Sequence, residues 1–149
     1  LPLNQTPKPY VLFSRLPLSL SVNEAYCNNF RSGKGRFKSP QYKVYENAMR
    51  VWCLKNHQVI KQAKDYLKGQ DFLSVKAIFY FPYERVLTKQ HKPKRQDVTN
   101  RVKTLEDVLC KILEIDDCQF WKWSLEKRVG AEPQVELSIE IMEIPDAIA

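Results

Sequence analysis

Residues Arg95 to Gln119, RQDVTNRVKTLEDVLCKILEIDDCQ, decide how the rest of the chain is read. On a helical wheel Val98, Val102, Leu105, Val108, Leu109, Ile112 and Leu113 gather on one side, the 3.6-residue period of a stripe facing a core. The same wheel sets Asp97, Asn100, Lys103, Thr104 and Asp107 on the opposite side, as a candidate working surface. Asp97 or Thr99 can cap the amides of the first turn. Past Leu113 the pattern breaks into Glu114-Ile115-Asp116-Asp117-Cys118-Gln119, a stop.

Adjacent carboxylates repel unless something positive sits between them. In an oxygen-only donor set that partner is most often magnesium or manganese, held by one or two carboxylates and otherwise by water and phosphate oxygens. A plainer reading stands beside this one: Asp97 is an N-cap, and Asp116-Asp117 is a polar turn between helix and strand. The charge distribution favours the first. Arg85, Lys89, Lys92, Lys94, Arg95, Arg101 and Lys103 face the single acid Asp97 over that span, and Arg31, Lys34, Arg36, Lys38 and Lys43 form a second run with no acid. From Glu132 onward there are acids and no lysine or arginine.

The chain has 149 residues and a net charge of +7, with 44% hydrophobic and 28% charged residues, which suits one folded domain over 1–149 with a sizeable core. A basic balance points to a polyanionic partner. No apolar run is long enough to span a bilayer, and no signal-peptide pattern is present. Cys27, Cys53, Cys110 and Cys118 form no C-x-x-C pair, so neither a zinc ribbon nor a disulfide framework is expected, and a reducing cytoplasm is the expected compartment. His57 and His91 lack ligand-type neighbours, which counts against zinc.

In chain order, residues 1–9 read as a loose proline-rich arm and Tyr10 to Leu18 as a first strand. Asn28 to Pro40 is a glycine-broken basic loop in which Phe30 and Phe37 interleave with Arg31, Lys34, Arg36 and Lys38, suiting phosphate contacts plus base stacking. Gln41 to Leu67 reads as helical with a break at Asn56-His57, and Gly69 as its C-cap. Leu73 to Phe81 is a second strand, ending at Pro82. The lysine-rich loop that follows delivers the chain to Asp97, so loop and acid are expected on one rim. Gln119 to Lys127 and Gln134 to Met142 alternate, and with Gly130 and Pro133 between them they read as an antiparallel hairpin. The expected fold is α+β, in the order β-α-β-α-β-β, with a mixed four-stranded sheet and helices on one face.

The run Asp97-x-x-Asn100-x-x-Lys103, then Glu106-Asp107-x-Leu109, then Asp116-Asp117-x-Gln119 resembles the RusA family of Holliday-junction resolvases, phage-type endonucleases whose signature reads D-x-D-N-x-x-K, D-x-L, then D-D-x-Q. The resemblance implies a magnesium-dependent nuclease, with manganese as a substitute ion, resolving four-way DNA junctions in recombination and repair. It implies Asp97 and Asp117 as metal ligands, Asp116 as a further candidate, and Lys103 as the lysine needed for cleavage. Asn100 is expected to orient a carboxylate or a metal-bound water. Where the family has its second aspartate this chain has Thr99, and Asp107 is a candidate for making up the missing charge. Lys92, Lys94, Arg95, Arg101 and the Arg31 to Lys38 loop are expected to grip the DNA backbone. Paired cuts in a two-fold junction imply a homodimer. Two other functions remain open: a junction-binding protein that has lost cleavage, and a nuclease for other branched or single-stranded nucleic acids.

Overall fold

The computed structural model describes residues 10–28 and 35–144, so the expected arm at 1–9 and the loop positions Arg31 and Lys34 lie outside the described residues. The chain forms strand β1 (Val11–Leu16), a short helix α1 (Val22–Ala25), and a two-stranded ribbon of β2 (Tyr26–Asn28) and β3 (Arg36–Lys38). Helices α2 (Pro40–Lys55) and α3 (His57–Leu67) follow, then β4 (Leu73–Phe81) and the single turn α4 (Tyr83–Val86). A 3-10 turn at Thr99–Arg101 leads into α5 (Val102–Leu113), and a second at Asp117–Gln119 leads into β5 (Phe120–Val129) and β6 (Gln134–Ile141). The class is α+β with a mixed four-stranded sheet, as the sequence patterns indicate.

Local chemistry explains the breaks. Ser39 caps α2, its hydroxyl accepting from the Tyr42 amide at 3.2 Å, with Pro40 in the first turn, where a missing N–H costs nothing. At Asn56 the side-chain amide donates to the Trp52 carbonyl at 2.9 Å while the backbone turns, and α3 starts afresh. Gly69, at φ +74°, takes the left-handed position just past α3. α5 ends at Glu114, also left-handed at φ 55°.

The sheet order is β1-β6-β4-β5. β4 is central, antiparallel to β6 and parallel to β5, because α5 is the crossover that returns the chain to run beside β4 in the same direction. The expected hairpin between the last two strands is therefore corrected: β5 and β6 lie on opposite sides of β4. Alternation tells which face a strand buries, not which strand it sits beside. The link from Val129 to Gln134 instead passes over the end of β4. There the Gly130 amide donates to the Phe81 carbonyl at 2.9 Å, and a Cβ at Gly130 would meet Tyr80 at 3.1 Å.

Leu73, Val75, Ala77, Phe79 and Phe81 of β4 and Val135, Leu137 and Ile139 of β6 are fully buried against the helices. Leu105, Val108, Leu109 and Leu113 of α5 join them, with Val98 and Ile112 packed at the margin. One polar position of the helical wheel is corrected. Thr104 is buried, not on the working surface, and its hydroxyl donates to the Leu20 carbonyl at 2.7 Å.

Candidate active site

The head of α5 is held from outside the helix. Arg101 is 4% exposed; its guanidinium donates to the Ser19 carbonyl and to Gln96 Oε1 (3.0 Å), pairs with Glu24 at 3.6 Å, and stacks over the Phe81 ring at 5.6 Å. The Ser19 hydroxyl returns a bond to the Arg101 carbonyl at 2.9 Å. Burial lowers the Arg101 pKa from its ordinary value, with Glu24 opposing. A guanidinium so enclosed cannot lie along a phosphate backbone, and its expected role as a surface DNA contact gives way to that of a pin joining the segment after β1 to the head of α5.

Just ahead of this pin, Asp97 stands fully exposed. Its Oδ1 accepts from the Thr99 amide at 3.0 Å and from the Thr99 hydroxyl at 2.6 Å, and these bonds, the hydroxyl first, hold its pKa below the usual carboxylate value. Thr99 thus serves as a donor to the acid at the position where the family signature has a second acid. Lys127 of β5 adds positive potential, and its ammonium donates to the Gln96 carbonyl at 2.9 Å, tying this segment to the last residues of β5. Asn100, the middle residue of the 3-10 turn, is half-buried.

The basic loop shares this rim. The Thr88 amide donates to the Lys92 carbonyl (2.8 Å), the Lys94 amide to Val86 (2.8 Å) and the Lys92 amide to the Thr88 hydroxyl (3.1 Å), so the loop is a built hairpin. Lys92 and Arg95 project from it exposed, while the Lys94 ammonium is occupied by the Glu84 carbonyl at 2.6 Å.

The second acidic group lies past the other end of α5. Asp116 caps its turn, Oδ1 accepting from the Cys118 amide at 3.0 Å, which holds its pKa low. Gln119 explains its place in the D-D-x-Q pattern: its Oε1 accepts from the Asp116 amide at 2.7 Å and its Nε2 donates to the Gln70 carbonyl at 2.6 Å, anchoring the doublet to the approach to β4. Asp116 and Asp117 line one pocket with Asp107, Cys110 and Lys111 of α5 and with Tyr26, Lys38 and Tyr42. The ribbon therefore borders this pocket, with Phe37 half exposed beside Arg36 and Lys38, and Lys38 lies over the Tyr42 ring at 4.6 Å while pairing with Glu46 at 3.3 Å.

Lys103 and Asp107 run between the two groups, joined at 3.1 Å one helical turn apart. That bond raises the Lys103 pKa from its ordinary value, so the ammonium is charged and aimed. Glu106 is a residue to which the sequence motif gives no role. Half-buried, it has a carboxyl pushed up by desolvation and by Asp117, with Lys103 opposing; the nearby Trp123 indole lowers it slightly without completing a hydrogen bond. Trp123 of β5 stands beside it, a neighbour that no pattern within α5 reveals.

Asp97 and Asp117 flank a helix of twelve residues, about 18 Å long at 1.5 Å per residue. The groups that chiefly set the charge of Asp97 are its own neighbours Thr99 and Asn100, with Lys127. Among the described residues no three acids, cysteines or histidines come together in a way that could hold a metal ion. The oxygen donors are of the kind that suits magnesium, with Asp97 ahead of α5 and Asp107, Asp116 and Asp117 lining the pocket toward its other end. No helix among the described residues is long and apolar enough to cross a membrane.

The sequence profile of a family described as endodeoxyribonuclease RusA matches residues 21–140, spanning the ribbon, both acidic groups and all of the sheet except β1 and the last residue of β6. A comparison with curated proteins gives no match. With the profile covering most of its length, the chain belongs to the RusA family of endodeoxyribonucleases.

Proposed function

We propose that the chain is the protomer of a homodimeric, magnesium-dependent endonuclease that resolves four-way DNA junctions in recombination and repair, in the cytoplasm of a bacterial or phage-infected cell. The observation that carries the reading is the split site: two acidic groups at opposite ends of α5, each bordered by its own basic element. A protomer with half a site at each end suits a two-fold enzyme in which the second copy supplies the missing half. Magnesium, with manganese as substitute, is the ion proposed for Asp97, Asp107, Asp116 and Asp117; bound there it would lower the pKa of a water and polarise the scissile phosphate.

The chain's own residues do the rest. Lys92 and Arg95 at one end, and Arg36 and Lys38 at the other, neutralise backbone phosphates, so affinity falls steeply as salt rises. Phe37 offers a ring to an unstacked base. Lys103, pre-aimed by Asp107, stabilises the charge that develops on the phosphate oxygens. Asn100 orients groups beside Asp97 without reacting.

A second reading, a junction-binding protein that no longer cuts, is favoured by one observation: Thr99 brings no charge and gives its hydroxyl to Asp97. The test is cleavage of a synthetic four-way junction beside linear duplex and single strand, with magnesium, by the native protein and by Asp97→Asn. Selective cutting of the junction, lost in the variant with binding retained, is the expected result. Binding without cutting by the native protein would favour the second reading, and cutting of all three substrates would point to a broader nuclease.

A further inference from the structure

Gln96, the residue ahead of Asp97, is held from two sides. Its Oε1 accepts from the Arg101 guanidinium at 3.0 Å, and its carbonyl accepts from the Lys127 ammonium at 2.9 Å. Residues 94–97 lie in neither helix nor strand. The main-chain bonds that bracket them join the Lys94 amide to the Val86 carbonyl and the Arg101 amide to the Val98 carbonyl. The two bonds from Thr99 to Asp97 Oδ1 span two positions only, so they turn the carboxylate on its own main chain and move with it. Where that main chain stands is decided by the bonds that reach Gln96 from outside.

The two outside anchors are fixed independently. Arg101 is buried against Ser19 and the Phe81 ring. Lys127 belongs to β5, whose pairing with the central strand is regular from Lys122 opposite Ser74 through Val129 opposite Phe81, and it sits opposite Phe79, which is fully buried. Its stem is exposed, but its Cα is set by the most enclosed part of the sheet. Among the described residues its ammonium takes the Gln96 carbonyl and forms no ion pair with the nearby Asp97, although it adds positive potential there. A lysine acting by charge alone would pair with the acid and compete with any cation. One that bonds the neighbouring carbonyl leaves the carboxylate open.

We infer that Lys127 is a positioning residue for the nuclease: its ammonium holds the Gln96 carbonyl so that the Asp97 carboxylate stands where it can take a divalent cation. This role rests on the proposed function, in which Asp97 is a metal ligand. Groups that hold a ligand in place without touching the ion change metal affinity by about 10–100-fold when removed.

The test uses the full chain with Lys127→Met, which keeps the stem and removes the ammonium, and Lys127→Arg, which can still donate to the Gln96 carbonyl. Alongside cleavage, manganese binding to the DNA-free protein is followed by electron paramagnetic resonance. The salt slope of junction binding is measured without divalent ions, and hydrogen exchange of the Thr99 amide in the metal-free protein. Lys127→Met should weaken manganese binding and raise the magnesium needed for half-maximal cleavage, each by about tenfold. It should speed Thr99 exchange by roughly tenfold and leave the salt slope unchanged, and Lys127→Arg should recover most of the loss. Tighter manganese binding in Lys127→Met would overturn the role and make Lys127 only a charge competing with the ion. Native manganese binding with native exchange would overturn it too, and an accompanying loss of about one unit of salt slope would make Lys127 a phosphate contact. If the native protein neither binds manganese nor cuts, the nuclease reading fails. Faster Thr99 exchange in Lys127→Met would then still support the tether, and native exchange would overturn it.

Discussion

Replacing Arg101 by methionine separates a residue that holds the fold from one that holds DNA. Methionine keeps most of the apolar stem and its packing on Phe81 while removing the guanidinium. The Ser19 carbonyl and Gln96 Oε1 lose their donor, and only the half-exposed Glu24 can turn to water instead. Hydrogen bonds from a charged donor contribute about 1.5–3 kcal/mol each. Part of that loss is offset because a buried cation no longer has to be kept from water. The net expectation is about 2–3 kcal/mol, or roughly 5–10 °C in Tm at about 2–4 °C per kcal/mol for a domain of this size. Circular dichroism melts give the stability, and junction-binding titrations at several salt concentrations give the number of phosphate contacts. Arg101→Met should melt early and, below its Tm, bind with an unchanged salt slope. Arg95→Ala should melt within about 0.5 kcal/mol of the native protein and lose about one unit of slope. An Arg101→Met protein of native Tm with a shallower slope would refute the pin and return Arg101 to the DNA surface.

Further outcomes follow from single contacts. Thr99→Val removes the hydroxyl donor, so the Asp97 pKa should rise toward the ordinary carboxylate value in a carboxyl NMR titration; no rise would mean the backbone amide alone holds it down. Because the folded pKa is depressed, the contribution of Asp97 to stability is present above about pH 4 and lost as pH falls through the folded value, and Thr99→Val should shrink that acid-side loss. If the missing charge limits metal binding, Thr99→Asp should lower the magnesium needed for half-maximal cleavage, and an unchanged requirement would mean another group such as Asp107 already serves. Gly130→Val forces a side chain against Tyr80 on the central strand and should cost about 1–3 kcal/mol in denaturant unfolding; a neutral result would contradict the tight passage over β4.

What the sequence revealed follows from which interactions are local. The stripe from Val98 to Leu113, the break at Asn56 and the strand at Leu73–Phe81 rest on periodicity and capping within a few residues, and they appear where the patterns place them. The partner of β5 did not, because pairing is chosen by the crossover through α5 and not by alternation. Arg101 and Thr104 look like polar surface on a wheel, yet the segment around Ser19 and Leu20, more than eighty positions earlier, covers them. Thr99 reads as a missing ligand from the motif and as a hydrogen-bond donor only once its geometry is seen. The separation of Asp97 from Asp117 follows from the helix between them: the same stripe that makes α5 a core helix keeps its ends apart.

The most direct test mixes two proteins that should each be inactive, Asp97→Asn and Asp117→Asn, and follows nicking of a four-way junction with magnesium present. If each site draws Asp97 from one copy and Asp117 from the other, the mixed dimer holds one site with both aspartates intact. Single-strand nicks should then appear on mixing, at up to about a quarter of the native rate for an equal mixture with free exchange of subunits, since about half the dimers are mixed and each keeps one of its two sites. If both aspartates serve a site within one protomer, every site in the mixture lacks one of them. A mixture as inactive as its components, with subunit exchange demonstrated, would contradict the shared site.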